Sequence, residues 1–231
     1  MMRADVMWFR PLRERDLTEI QRLQIYFINV IILQLRGKIS YRFCRKSREK
    51  LAAIKDRYQE IINGLGLKFS LDEDFEVIRK NFAEKAGSNY AASRGEFLNG
   101  KVMAAYLGYE FVDAADVIRF DKNGNLDAEK TDRLLSKKLA KCERAVIPGF
   151  YGAGEDGKVK TFSRGGSDVT GSLVAKAIKA DLYENWTDVS GFLVTDPRIV
   201  KNPEVIESIT YRELRELSYM GATVLHEDAI F

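Results

Sequence analysis

The chain has 231 residues, 45% of them hydrophobic and 31% charged, with four prolines, so it is long enough for a substantial core and does not read as disordered, collagen-like or disulfide-built. Two distant cysteines, Cys44 and Cys142, and one histidine, His226, exclude a histidine-rich zinc site and a serine-histidine-aspartate triad, and suit free thiols in a reducing cytoplasm. The net charge of +3 is unevenly spread: residues 1–50 hold 12 Lys and Arg against 5 Asp and Glu, leaving the rest of the chain acidic on balance. That basic stretch reads as an arm for an anionic partner or as a segment of different origin, and no nucleic-acid motif accompanies it.

Tyr26 to Leu35, YFINVIILQL, is the most apolar stretch, yet ten residues fall short of the roughly 20 that span a bilayer. It reads as a buried strand or core helix. Its position after polar residues, with no small-residue cleavage site, argues against a signal peptide, and a cytoplasmic location is expected. Apolar residues at three- and four-residue steps from Leu51 to Leu65 predict an amphipathic helix ending near Gly64. Ser70-Leu-Asp-Glu73 reads as a capping box for a second helix through Phe75, Ile78 and Phe82 to about Lys85, and both helices are expected to be peripheral. A third helix is predicted from Ser88 to Leu107, stopped by Gly108.

An extended run from Glu110 to Phe120 follows, then turn chemistry at Asp121-Lys-Asn-Gly-Asn125. A helix from Asp127 to Ala140 leads to a short strand within Arg144 to Gly149, and further strands are predicted at Lys158–Phe162 and Asp181–Thr187, with a helix to Lys179 between them. Gly152-Ala-Gly154 with Gly157 reads only as a loop between strands, because no helix follows to present its dipole. Asn202-Pro-Glu-Val reads as a surface loop and Tyr211 to Tyr219 as a helix. Alternating strands and helices predict an α/β fold, a three-layer α/β/α sandwich on a mostly parallel sheet, with ligands at the carboxyl ends of its strands.

Three stretches carry chemistry. Ser163-Arg-Gly-Gly-Ser-Asp168 joins a planar cation to open backbone N–H groups at a helix start, which suits an anion; it equally reads as a glycine turn with Ser167 or Asp168 as an ordinary N-cap. Trp186-Thr-Asp188 and Thr195-Asp-Pro-Arg198 place Asp188 and Arg198 near one rim, or as a turn cap and a solvated surface charge. Ser93-Arg-Gly-Glu96 puts a carboxylate in a helix, where a glutamate is ordinarily just solvated.

In this order, and with Gly221-Ala-Thr-Val-Leu-His226, these segments resemble the aspartate kinase branch of the amino acid kinase family over residues 48–231. The resemblance implies ATP-dependent phosphorylation of the L-aspartate β-carboxylate, with Mg2+ accompanying the nucleotide, and a homo-oligomer in intact relatives. It implies that Glu96 receives the aspartate ammonium group and Arg164 a carboxylate, with Gly165, Gly166, Ser167 and Asp168 lining the pocket. Arg164 and Asp168 become the catalytic positions, while Thr187, Asp188 and Arg198 meet the nucleotide. Phosphoryl transfer depends on positioning and charge stabilisation, since the substrate carboxylate is itself the nucleophile.

The family's opening Lys-Phe-Gly-Gly motif is absent from residues 1–47, and Lys68-Phe-Ser70 lacks its glycines. Leu193 stands where many relatives carry tyrosine, and Thr223 where some carry lysine. The abrupt end at Phe231 leaves out the regulatory domains of family members. Residues 1–47 therefore read as an atypical basic segment, and 48–231 as a catalytic domain of impaired turnover. The rival expectations are a fragment that binds ATP or aspartate without transfer, and an interaction module.

Overall fold

A computed structural model describes residues 45–162, 166–184, 194–195, 199–204, 206, 209–210, 212–213 and 216. The expectation for YFINVIILQL lies outside them. Helix α1, Arg45–Gly64, turns Tyr58 and Ile62 inward from the three-four spacing seen in the sequence. Helix α2, Asp72–Ala83, buries Phe75 and Ile78. Helix α3, Ser88–Leu107, ends at Gly108, whose φ of 69° is the left-handed cap that glycine adopts without strain.

The first two helices are not merely peripheral. Tyr58, Ile62, Leu71, Phe75 and Ile78 share one apolar core with Leu98 and Val102 of α3. Lys101 of α3 pairs with Asp74 of α2 at 2.6 Å in a half-buried setting, tying the helical layer to the helix behind it. The expected capping box at Ser70 does not form. Ser70 Oγ accepts from Asp72 N–H at 3.1 Å and donates to the Asp72 carboxylate at 2.8 Å, so it is consumed by its neighbour two residues on, and Leu71 occupies the cap position without a side-chain bond. A true capping box stands instead at Thr210 and Glu213: Glu213 Oε2 accepts from Thr210 N–H at 2.9 Å, and Glu213 N–H donates to Thr210 Oγ1 at 3.3 Å.

The α/β part begins with β1, Glu110–Phe111, which pairs in parallel with β2, Ala145–Val146, in the register Glu110 to Ala145. The extended run expected to Phe120 is broken after Val112. Asp113 caps a single helical turn, α4, Ala114–Val117, by accepting from Ala115 N–H at 2.9 Å. Helix α5, Ala128–Leu139, crosses back to β2 and is capped by Asp127, whose carboxylate accepts from Lys130 N–H at 3.0 Å. Asp127→Ala removes that cap and is expected to cost about 1 kcal/mol, lowering Tm by roughly 2–4 °C in thermal unfolding.

Strands β3, Tyr151–Ala153, and β4, Val159–Thr161, form an antiparallel hairpin, so Gly152, expected in a loop, lies inside a strand, while Gly154 and Gly157 fall in the loop between the two strands as the sequence reading held. A parallel bridge between Arg119 and Ala153 joins the hairpin to the segment after α4. Helix α6, Gly166–Ala177, packs on α5 and completes a core of Val112, Ile118, Leu135, Tyr151 and Val174. The strand expected at Asp181–Thr187 is not seen at 181–184; there the Tyr183 hydroxyl occupies the space that a side chain on Gly171 would need. Among the described residues no helix is long and apolar enough to cross a membrane.

Candidate active site

Helix α3 packs on β1, β2 and β4, which sets Glu96 between the helical layer and the hairpin. Its carboxylate is half-buried, and burial pushes its pKa above the ordinary glutamate value. Among the described residues no donor pairs with it. Two buried tyrosines feel its charge, Tyr58 of α1 and Tyr151 of β3, and in both the larger cause of the raised hydroxyl pKa is burial itself. A carboxylate desolvated in this way, with its acceptors unspent, is suited to a cationic donor.

The start of α6 is built by close approach. A Cβ on Gly166 would stand 2.7 Å from Phe162 Cβ and 2.8 Å from Phe150 Cα, and one on Gly149 would stand 3.0 Å from Ser167 Cα. Thr170 Oγ1 closes the junction, donating to Gly166 O at 2.7 Å and accepting from Phe150 N–H at 3.1 Å. Phe150 is held at φ 66°, a conformation that non-glycine residues adopt only when the surroundings enforce it. Packing therefore requires a glycine at 166 before any ligand is considered. Ser167 is exposed and Asp168 is partly buried in the first turn of α6, where the field of Asp168 reaches the Tyr183 hydroxyl.

Glu96 and the start of α6 meet through the segment Gly149 to Tyr151. Gly149 abuts Ser167, Phe150 abuts Gly166, and Tyr151 lies within the field of Glu96. Arg164, Gly165, Thr187, Asp188 and Arg198 lie outside the described residues, as do Leu193, Thr223 and His226.

Sequence reasoning missed Gly149, Phe150 and Tyr151. Their signal was a Pro-Gly pair running directly into two aromatic residues, which marks a tight backbone approach at a strand start. It also missed Arg94 and Asp113. Arg94 is only 8% exposed, and Asp113 accepts a 2.7 Å hydrogen bond from the Tyr151 hydroxyl.

Residues 33–231 match the Amino acid kinase family. The chain is similar to Aspartokinase 3 of Bacillus subtilis, 38% identical over 79% of this chain and 43% of that protein. It is also similar to the aspartokinase of Chlamydia trachomatis, 33% identical over 81% of this chain and 48% of that one. The structure resembles Clostridium acetobutylicum aspartate kinase with a TM-score of 0.71 at 54% identity, covering 80% of this chain and 41% of the other. It resembles Escherichia coli aspartokinase III in complex with aspartate and ADP with a TM-score of 0.70 at 26% identity, covering 89% and 50%. The chain thus spans less than half the length of the curated relatives it matches. The α/β architecture and a family match over most of the sequence lead to one conclusion: the chain belongs to the amino acid kinase family.

Proposed function

We propose that residues 48–231 form the catalytic domain of an aspartate kinase, transferring the γ-phosphoryl group of ATP to the β-carboxylate of L-aspartate. The observation that carries this reading is Glu96: a half-buried carboxylate with a raised pKa and no paired donor among the described residues, in the helix where the resemblance to aspartate kinases puts the ammonium site. The likeness to an aspartokinase solved with aspartate and ADP supports the substrate pair.

In the reaction a β-carboxylate oxygen of aspartate bonds to the γ-phosphorus while the bond from that phosphorus to the bridging oxygen breaks. ADP leaves and 4-phospho-L-aspartate forms. Arg164 holds a substrate carboxylate, Gly165, Gly166, Ser167 and Asp168 line the same pocket, and the positive end of α6 faces the negative charge that gathers there. Arg164 and Asp168 are the catalytic positions. Thr187, Asp188 and Arg198 meet the nucleotide, which arrives with Mg2+ as part of the substrate. The assembly proposed is a homo-oligomer in the cytoplasm.

Trapping aspartyl phosphate as its hydroxamate tests the transfer, with calorimetry of aspartate and of ADP run beside it. Hydroxamate formed in proportion to ADP is the expected result. Binding of both ligands without hydroxamate reduces the chain to a binding fragment, and binding of neither removes the reading.

A further inference from the structure

We propose that Thr170 is a positioning residue for the substrate pocket: its hydroxyl latches the Gly149–Phe150 backbone to the first turn of α6, and so fixes where Ser167 and Asp168 stand and where the stretch carrying Arg164 is anchored. The inference deepens the aspartate kinase reading and rests on it. Thr170 is only 4% exposed, so it acts through these neighbours and not by touching a ligand.

One oxygen makes both bonds of the latch. Thr170 Oγ1 donates to Gly166 O at 2.7 Å, the bond that a helical threonine makes back to the carbonyl four residues earlier. With its proton committed there, the oxygen serves as an acceptor, and Phe150 N–H, 20 positions away in the chain, donates to it at 3.1 Å. Phe150 is held from its other side as well. Its carbonyl accepts from Phe162 N–H at 3.0 Å, and Phe162 Cβ lies against Gly166, 2.7 Å from where a side chain there would begin.

The path from Phe150 to Phe162, to Gly166, to Thr170 and back to Phe150 is therefore closed by contacts. Residues 163–165, which join Phe162 to Gly166 and include Arg164, have both of their flanking residues tied to Phe150. The position of one residue thus governs where the chain bearing Arg164 leaves the hairpin and where it enters α6.

Phe150 stays at φ 66° only while its surroundings enforce it. The Phe150 N–H belongs to the peptide unit that joins it to Gly149, so the Thr170 hydroxyl is what fixes the orientation of that unit. Without it the unit rotates to relieve φ, and Gly149 moves with it. Gly149 approaches Ser167 backbone to backbone: a Cβ there would stand 3.0 Å from Ser167 Cα and 3.1 Å from its Oγ. Having no side chain, Gly149 cannot be held by packing of its own. Close approach at Gly166 sets the spacing of the two segments, and the hydroxyl sets how the Gly149–Phe150 peptide faces the pocket.

The test compares variants of the full chain by calorimetry with L-aspartate and, separately, ADP, at a temperature where circular dichroism shows each of them folded. Thr170→Val keeps the shape and β-branching but removes the hydroxyl, and is expected to weaken aspartate binding about tenfold or more while ADP affinity stays within about threefold. Thr170→Ser keeps the hydroxyl and drops the methyl group, and is expected to bind aspartate within about threefold of wild type even where its Tm is the lower of the two. Thr170→Ala, which also lacks the hydroxyl but crowds nothing, runs in parallel with the same expectation as Thr170→Val, so that the comparison stands if Thr170→Val does not fold. Aspartate affinity that follows Tm and not the hydroxyl overturns the inference, because a merely structural threonine would behave that way. An equal loss of aspartate and ADP binding overturns it too, as does a Thr170→Ser chain as weak as the variants without the hydroxyl. Wild-type protein that takes up ADP but no aspartate overturns the substrate reading and this inference with it, whereas wild-type binding of aspartate that Thr170→Val and Thr170→Ala retain overturns the inference alone.

Discussion

Glu96→Gln is expected to lower aspartate affinity by about 10- to 100-fold, because a charge-assisted hydrogen bond is worth about 1.5–3 kcal/mol and the neutral amide cannot supply it. The same substitution is expected to raise stability at neutral pH. Burial raises the folded-state pKa of Glu96 above its unfolded value, so the folded chain binds that proton more tightly. The stabilising contribution is present at low pH, below the unfolded pKa, and is lost as pH rises through the raised folded pKa. At neutral pH the ionised carboxylate is a net burden, which glutamine removes. Calorimetry with aspartate and thermal unfolding from pH 4 to 8 check both halves. A variant that binds aspartate as well as wild type sinks the ammonium role, and one whose Tm advantage does not grow with pH sinks the electrostatic account. Aspartate binding itself is expected to weaken on acidification as Glu96 takes up its proton.

Gly166→Ala is expected to destabilise the fold by about 3 kcal/mol, the upper end for overpacking a rigid site. The added Cβ would stand 2.8 Å from Phe150 Cα and 2.7 Å from Phe162 Cβ, and neither is the far end of a flexible side chain. The strained φ of Phe150 limits how far the backbone can yield. In urea unfolding the midpoint should fall with an unchanged m-value, and Tm should drop by about 6–12 °C. Gly157, whose Cβ would meet nothing within 4 Å but which sits at φ 75°, provides the contrast: its replacement by Ala strains the turn without a clash, and the smaller loss is expected there.

The helices were legible because each carries its own periodic apolar stripe and punctuation. Leu51 to Leu65 drew α1, and Gly108 ended α3 where the left-handed cap is found. The capping box was misplaced because Ser70 and Thr210 present the same spacing to a glutamate, and only local geometry shows that Asp72 captures Ser70 first. The run from Glu110 to Phe120 read as extended because Phe111, Val112, Val117 and Ile118 are strand formers; one aspartate at the cap position turned its middle into α4.

Of the site, the residue types were visible and their surroundings were not. Glu96 stood out beside its glycine and arginine, yet a helical glutamate is ordinarily solvated, and its desolvation depends on α1 and β3 closing around it. The glycines at 165 and 166 read as an opening for an anion; at 166 the structure adds a packing requirement from Phe150 and Phe162.

What the chain's sequence determined alone was its periodicity, its turn chemistry and the order of its motifs, because those depend on neighbours within a few residues. Which carboxylate is buried and which rings close around a buried arginine depend on partners far apart in the chain, such as Arg94 with Tyr151 and Tyr151 with Asp113. Burial and long-range charge balance are properties of packing, and only the tertiary structure decides them.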